Sequence, residues 1–122
     1  MKGNILIASR DEACRVELLE WLSHEDVTIH SVCEEADLLL EVLERDYDVI
    51  IYDLQGAKLD GLKMVRILRK MRPKVALIAF SDDPSTDLGG RVWHEGVVYY
   101  AVKPLNLDAI KMAVMGAMRR KN

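Results

Sequence analysis

The chain has 122 residues and a mass of 13.9 kDa, enough for one packed core and too little for a catalytic domain beside a regulatory one. Hydrophobic residues make up 50% and charged residues 30%, which excludes a disordered, collagen-like or disulfide-stapled chain. With 17 basic and 20 acidic side chains the net charge is −3, so bulk charge draws the chain neither to nucleic acid nor to an anionic membrane.

Short apolar runs alternate with amphipathic stretches from one end to the other. The runs Asn4 to Ala8, Val27 to Val32, Val49 to Tyr52, Val75 to Phe80 and Val97 to Val102 predict five strands. Four of them are nearly continuously apolar, as strands covered on both faces are. The second, Val27-Thr28-Ile29-His30-Ser31-Val32, alternates, and this predicts an edge strand.

Helical spacing fills the gaps. Cys14, Leu18, Trp21 and Leu22 predict the first helix, Leu38, Leu39, Val42 and Leu43 the second, and Leu62, Val65 and Leu68 a third that ends before Pro73. A fourth spans about Pro84 to Glu95 and holds Gly89-Gly90, each glycine costing about 1 kcal/mol against alanine, so it is expected to be short, frayed or mobile. Leu107, Ile110, Val114 and Ala117 predict a fifth, capped by Asn106. Strands alternating with helices across short connections imply an α/β, doubly wound parallel sheet, a single domain over residues 1–122.

Cys14 and Cys33 lack the spacing of a zinc motif, the opening MKGNILI has no long apolar h-region, and no apolar run reaches the roughly 20 residues that span a bilayer. A soluble, cytoplasmic protein is expected. The Arg119-Arg120-Lys121 cluster reads as a solvated helix end, and His24, His30 and His94 share no ligand spacing. Cys14 and the Met112, Met115, Met118 series read as packing residues, while Trp21 and Trp93 fit either core or interface.

In an open sheet of this kind the chemistry collects at the carboxyl ends of the strands. Those ends carry Ser9-Arg10-Asp11-Glu12, Asp53, Ser81-Asp82-Asp83 and Lys103-Pro104. An acid, a hydroxyl and a lysine, each ending a different central strand, make a site geometry where a single Asp would read as a turn former.

Ile5-Leu6-Ile7-Ala8, Asp53-Leu54 followed by Asp60-Gly61, then Ser81, and Tyr100 three residues before Lys103-Pro104 together resemble the receiver domain of bacterial two-component response regulators, across the whole chain. The resemblance implies a flavodoxin-like (βα)5 fold with strand order 2-1-3-4-5. It implies Asp53 as phosphoacceptor for a histidine kinase, Ser81 and Lys103 as phosphoryl contacts, and Tyr100 as an aromatic that reorients with phosphorylation.

One feature departs from that family. Attack of a carboxylate on a phosphoryl group brings anions together and calls for a divalent cation, which the family holds with two acidic residues after the first strand. Here they are Ser9 and Arg10. Three carboxylates facing one lysine leave a charge that Mg neutralises; Asp53 with Arg10 and Lys103 does not, even with Asp82 counted. Weakened Mg binding or none, and no other cofactor, is therefore expected, with Arg10 reaching Asp53 or Asp82 in the cation's place. Asp11 and Glu12 offer a displaced acidic pair if the first strand extends, but Asp11 fits better as the cap of the first helix.

The sequence thus reads as a signalling module rather than an enzyme, a pseudo-receiver acting through protein–protein contacts with weak or no phosphorylation. The alternative is a conventional receiver using residual Mg held by Asp53 and Asp11. A flavodoxin-like cofactor-binding domain is the poorest fit, with no G-x-G-x-x-G after the first strand. Expected partners are a histidine kinase or other signalling protein and a fused or separate output domain. They, or a second copy in a homodimer, would meet the fourth helix, fifth strand and fifth helix. No contact with nucleic acid or membrane is expected.

Overall fold

The structure, a computed structural model, describes residues 3–24, 26–54 and 60–120. Five strands, β1 (Gly3–Ala8), β2 (Val27–Val32), β3 (Val49–Asp53), β4 (Ala76–Ser81) and β5 (Tyr99–Val102), alternate with five helices. These are α1 (Glu12–Leu22), α2 (Glu35–Glu44), α3 (Gly61–Met71), α4 (Thr86–His94) and α5 (Leu107–Arg120). All strand pairs are parallel and the order is β2-β1-β3-β4-β5. The alternating second run lies at the margin, as its pattern implies.

Strand pleating divides the core into two layers. Ile5, Ile7, Val49, Ile51, Ile78 and Phe80 face Cys14, Leu18 and Leu22 of α1 and Ile110 and Val114 of α5. Leu6, Ile50, Tyr52, Leu77 and Ala79 face the other way, onto Leu38 and Val42 of α2, Met64, Val65 and Leu68 of α3, and Val92 of α4. Tyr99 packs with the first layer and Tyr100 with the second.

Side-chain caps fix the starts of α1, α3, α4 and α5. Asp11 accepts from the Cys14 N–H, Asp60 from Leu62, Ser85 from Leu88 and Asn106 from Ala109, which satisfies donors that a helix cannot use internally. The α4 cap is Ser85; Asp83 supports it by accepting from the Ser85 N–H. Gly89 and Gly90 lie inside a continuous nine-residue helix, which Gly96 ends at φ +90°.

Two packing expectations are corrected. On α2 the buried positions are Leu38 and Val42 while Leu43 faces solvent, and Met112 is exposed on α5; Trp21, open between core and interface in the sequence, is exposed on α1. A helix on one face of a sheet needs only a narrow inner stripe, and residues at its border are left outside. Among the described residues, no helix is long and apolar enough to cross a membrane.

Candidate functional site

Register places the polar residues. Ile7 pairs with Ile51 across β1 and β3, so two residues further along each strand Ser9 comes opposite Asp53 on the same face of the pleat. Ser9 Oγ donates to Asp53 Oδ2 at 2.7 Å and accepts from the Asp11 N–H at 3.1 Å. Both side chains are buried, Ser9 at 3% and Asp53 at 4% exposure. The Arg15 guanidinium donates to the Ser9 carbonyl and fixes this turn from α1.

Lys103 enters from the end of β5. Its backbone N–H donates to the Ser81 carbonyl at 2.8 Å, tying the end of β5 to that of β4. Its Nζ lies 3.5 Å from Asp53 Oδ2, 3.6 Å from Asp11 Oδ2 and 5.5 Å from the centre of the Phe80 ring. Burial pulls the lysine pKa down, but the carboxylate of Asp53, with Cys14 and Asp11, more than offsets this and the net shift is upward. Asp11 moves the other way: the Cys14 N–H, and then Lys103, hold its carboxyl below the ordinary value. Burial pushes the nearby Cys14 thiol up to about 11.

Ser81 and Tyr100 form the adjoining half of the rim. Their hydroxyls are 2.7 Å apart, and Ser81 Oγ also accepts from the Asp83 N–H at 3.2 Å. Tyr100 therefore points inward between β4 and α4. Asp53, Ser81, Tyr100 and Lys103 share the carboxyl edge of the sheet, joined by Ser9 and Asp11.

The placing of Arg10 corrects the sequence expectation. Arg10 reaches neither Asp53 nor Asp82; its Nη1 lies 3.2 Å from Glu34 Oε2, just before α2. The reason is the same alternation that brings in Ser9, because the residue after it turns to the opposite side of the strand, where α2 begins. The Arg10–Glu34 pair borders a crevice of about 10 Å³ beside Asp53, at the lower limit for a single water. Asp82 is exposed. The displaced acidic pair does not form by strand extension, since β1 ends at Ala8 and Asp11 caps α1.

Residue types alone did not identify Ser9 as the hydrogen-bond partner of Asp53 or Glu34 as that of Arg10. The pairing register, once known, accounts for Ser9, and the acidic run before α2 accounts for Glu34. Among the described residues, no three His, Cys, Asp or Glu side chains converge on a position that could hold a metal ion.

Known proteins match this architecture. The chain is 22% identical over 107 residues to the DNA-binding transcriptional regulator NtrC of Proteus hauseri, covering 88% of this chain and 23% of that protein. It is 25% identical over 119 residues to the two-component response regulator ORR21 of Oryza sativa subsp. indica, covering 96% and 17%. The chain thus spans about a fifth of the length of these relatives. Among solved structures, a two-component response regulator from Clostridium difficile superposes with a TM-score of 0.90 at 20% identity, covering 99% of each chain. The BeF3-activated DrrB receiver domain does so with a TM-score of 0.88 at 18% identity, covering 98% of this chain and 99% of that one. The model of the response regulator receiver domain matches residues 5–115, and the chain belongs to that family.

Proposed function

We propose that this receiver domain signals by protein–protein contact, with Asp53 held in a metal-independent cluster and phosphorylated weakly or not at all. The observation that carries the reading is the buried 2.7 Å hydrogen bond from Ser9 to Asp53. Magnesium asks for a near-octahedral shell of oxygens, commonly with one or two carboxylates. Around Asp53 the nearest candidates are committed elsewhere: Asp11 to the α1 cap and Lys103, Glu34 to Arg10. Ser9 puts a hydroxyl where the family supplies a carboxylate, and Lys103 lies 3.5 Å from Asp53, so this donor set offers a divalent ion fewer charged oxygens. The module is a binding partner rather than an enzyme, working in the cytoplasm with a histidine kinase or another signalling protein and an output domain.

The partner surface is the α4–β5–α5 face. Trp93 on α4, Val102 on β5 and Met112 on α5 are exposed there. Tyr100 supports that face from beneath through Ser81, so a rearrangement of α4 is coupled to the rim. A ligand that favours one arrangement shifts the population by its differential affinity.

A conventional phosphoacceptor is the second reading, favoured by Lys103 and Ser81 standing at the same edge as Asp53. Treatment with acetyl phosphate and Mg2+, followed by intact mass, separates the two. The proposal expects no phosphoryl adduct, or slow formation, in the natural chain and clear labelling in the Ser9→Asp, Arg10→Asp double variant. Equal labelling of both overturns it in favour of the second reading.

A further inference from the structure

The outer surface of α2 carries an apolar row that the core does not use. Leu40 is 52% and Leu43 65% exposed. With Ala36 they fall at i, i+4 and i+7, and Asp37, Glu41 and Glu44 form a second row one residue further round the helix. On neighbouring α3 the same spacing gives Lys63, Ile67 and Lys70, and Ile67 is 39% exposed. The two helices are tied side by side, since the Arg72 guanidinium at the end of α3 donates to the Val42 carbonyl at 3.0 and 2.8 Å. Asp37, Glu44, Lys63 and Lys70 carry no ion pair among the described residues.

We propose that this α2–α3 face is the contact of a symmetric homodimer. A twofold axis between the helices lays the acidic row of each copy on the basic row of the other, twice over, and closes Leu40, Leu43 and Ile67 into one apolar centre. A simply basic partner helix fits less well, because Lys63 and Lys70 share the surface and would repel it. The charge separation runs along the whole sequence: residues 1–47 hold 12 of the 20 acidic and 4 of the 17 basic side chains. Helices of 10 and 11 residues, about 15 Å long, offer less than the roughly 800 Å² per partner of a standard interface, so association is concentration-dependent. Self-association through this face leaves α4–β5–α5 free for a different protein.

Sedimentation equilibrium on the full chain at low and high salt tests the proposal. It expects a monomer–dimer equilibrium that weakens with salt. The pair Asp37→Lys, Glu44→Lys and the pair Lys63→Glu, Lys70→Glu each weaken the dimer by about tenfold or more through like-charge contacts. Mixing these two variants restores a dimer, as does combining all four substitutions in one chain. Leu40→Ser with Leu43→Ser also removes it while the circular dichroism spectrum is unchanged. A chain that stays monomeric at every concentration, a dimer indifferent to charge reversal, or a mass that grows beyond two copies overturns the proposal.

Discussion

Asp53 Oδ2 receives the Ser9 hydroxyl at 2.7 Å and stands 3.5 Å from Lys103 Nζ, so one carboxylate oxygen faces the two groups that bind the ends of β1, β3 and β5 together. Ser9 Oγ is engaged both ways in this position, because the Asp11 N–H donates to the same hydroxyl. The cluster therefore has a structural consequence whether or not a phosphoryl group ever arrives. Ser9→Ala strips a hydrogen bond from a buried carboxylate and is expected to destabilise the fold by about 2 kcal/mol. The shift of the urea midpoint at unchanged slope measures it.

Lys103 links Asp11 to Asp53, and its removal has a readable effect on the more exposed of the two acids. In Lys103→Met the Asp11 carboxyl is expected to titrate closer to its ordinary value, while the Cys14 N–H still holds it somewhat below. A depressed carboxyl stabilises the fold above its unfolded pKa, and that contribution is lost as pH falls through the folded value. The acid limb of a stability profile should accordingly lose part of its steepness in the variant. Carbon-detected NMR of the Asp side chains checks the titration directly.

The two thiols should behave oppositely. Cys33 is exposed and Cys14 is buried with its pKa raised to about 11 from 9.0. A thiol reagent at neutral pH is expected to modify Cys33 quickly and Cys14 only on unfolding. Because the folded thiol holds its proton longer than the unfolded one, Cys14 contributes stability that is complete below about 9 and lost as pH rises toward about 11. Thermal melts of Cys14→Ala against the parent across that range provide the control.

The glycines of α4 weaken a helix that the proposed output face uses. Nothing lies within 4 Å of a Cβ placed at Gly90, and one at Gly89 meets the Tyr100 ring at an ordinary 3.5 Å. Gly90→Ala is therefore expected to stabilise the domain by about 1 kcal/mol and to slow amide exchange across residues 86–94. In the natural chain those amides should exchange faster than those of α5 from Leu107 to Met118. Equal protection of the two helices contradicts a rearrangeable α4.

Much of this was legible in the sequence because it depends on period and on strand ends. The alternation in Val27 to Val32 marked the edge strand, and the acid, hydroxyl and lysine ending three of the apolar runs, Asp53, Ser81 and Lys103, came to one rim. Arg10 was misplaced because a charge count carries no direction; only the register of β1 against β3 decides that Ser9 turns toward Asp53 and Arg10 away from it. Leu43 was misplaced for a related reason. Helical spacing identifies an apolar stripe, but how much of it a sheet can cover depends on the neighbouring helices, and here the border of the stripe stays in water.

Calorimetric titration with Mg2+ tests the central claim most directly, comparing the natural chain with the Ser9→Asp, Arg10→Asp variant. The account predicts little or no binding heat in the natural chain and saturable binding in the variant, where Ser9→Asp sets a second carboxylate beside Asp53 and Arg10→Asp replaces the guanidinium at the bordering crevice with a third. Binding of equal affinity in the two chains would contradict it.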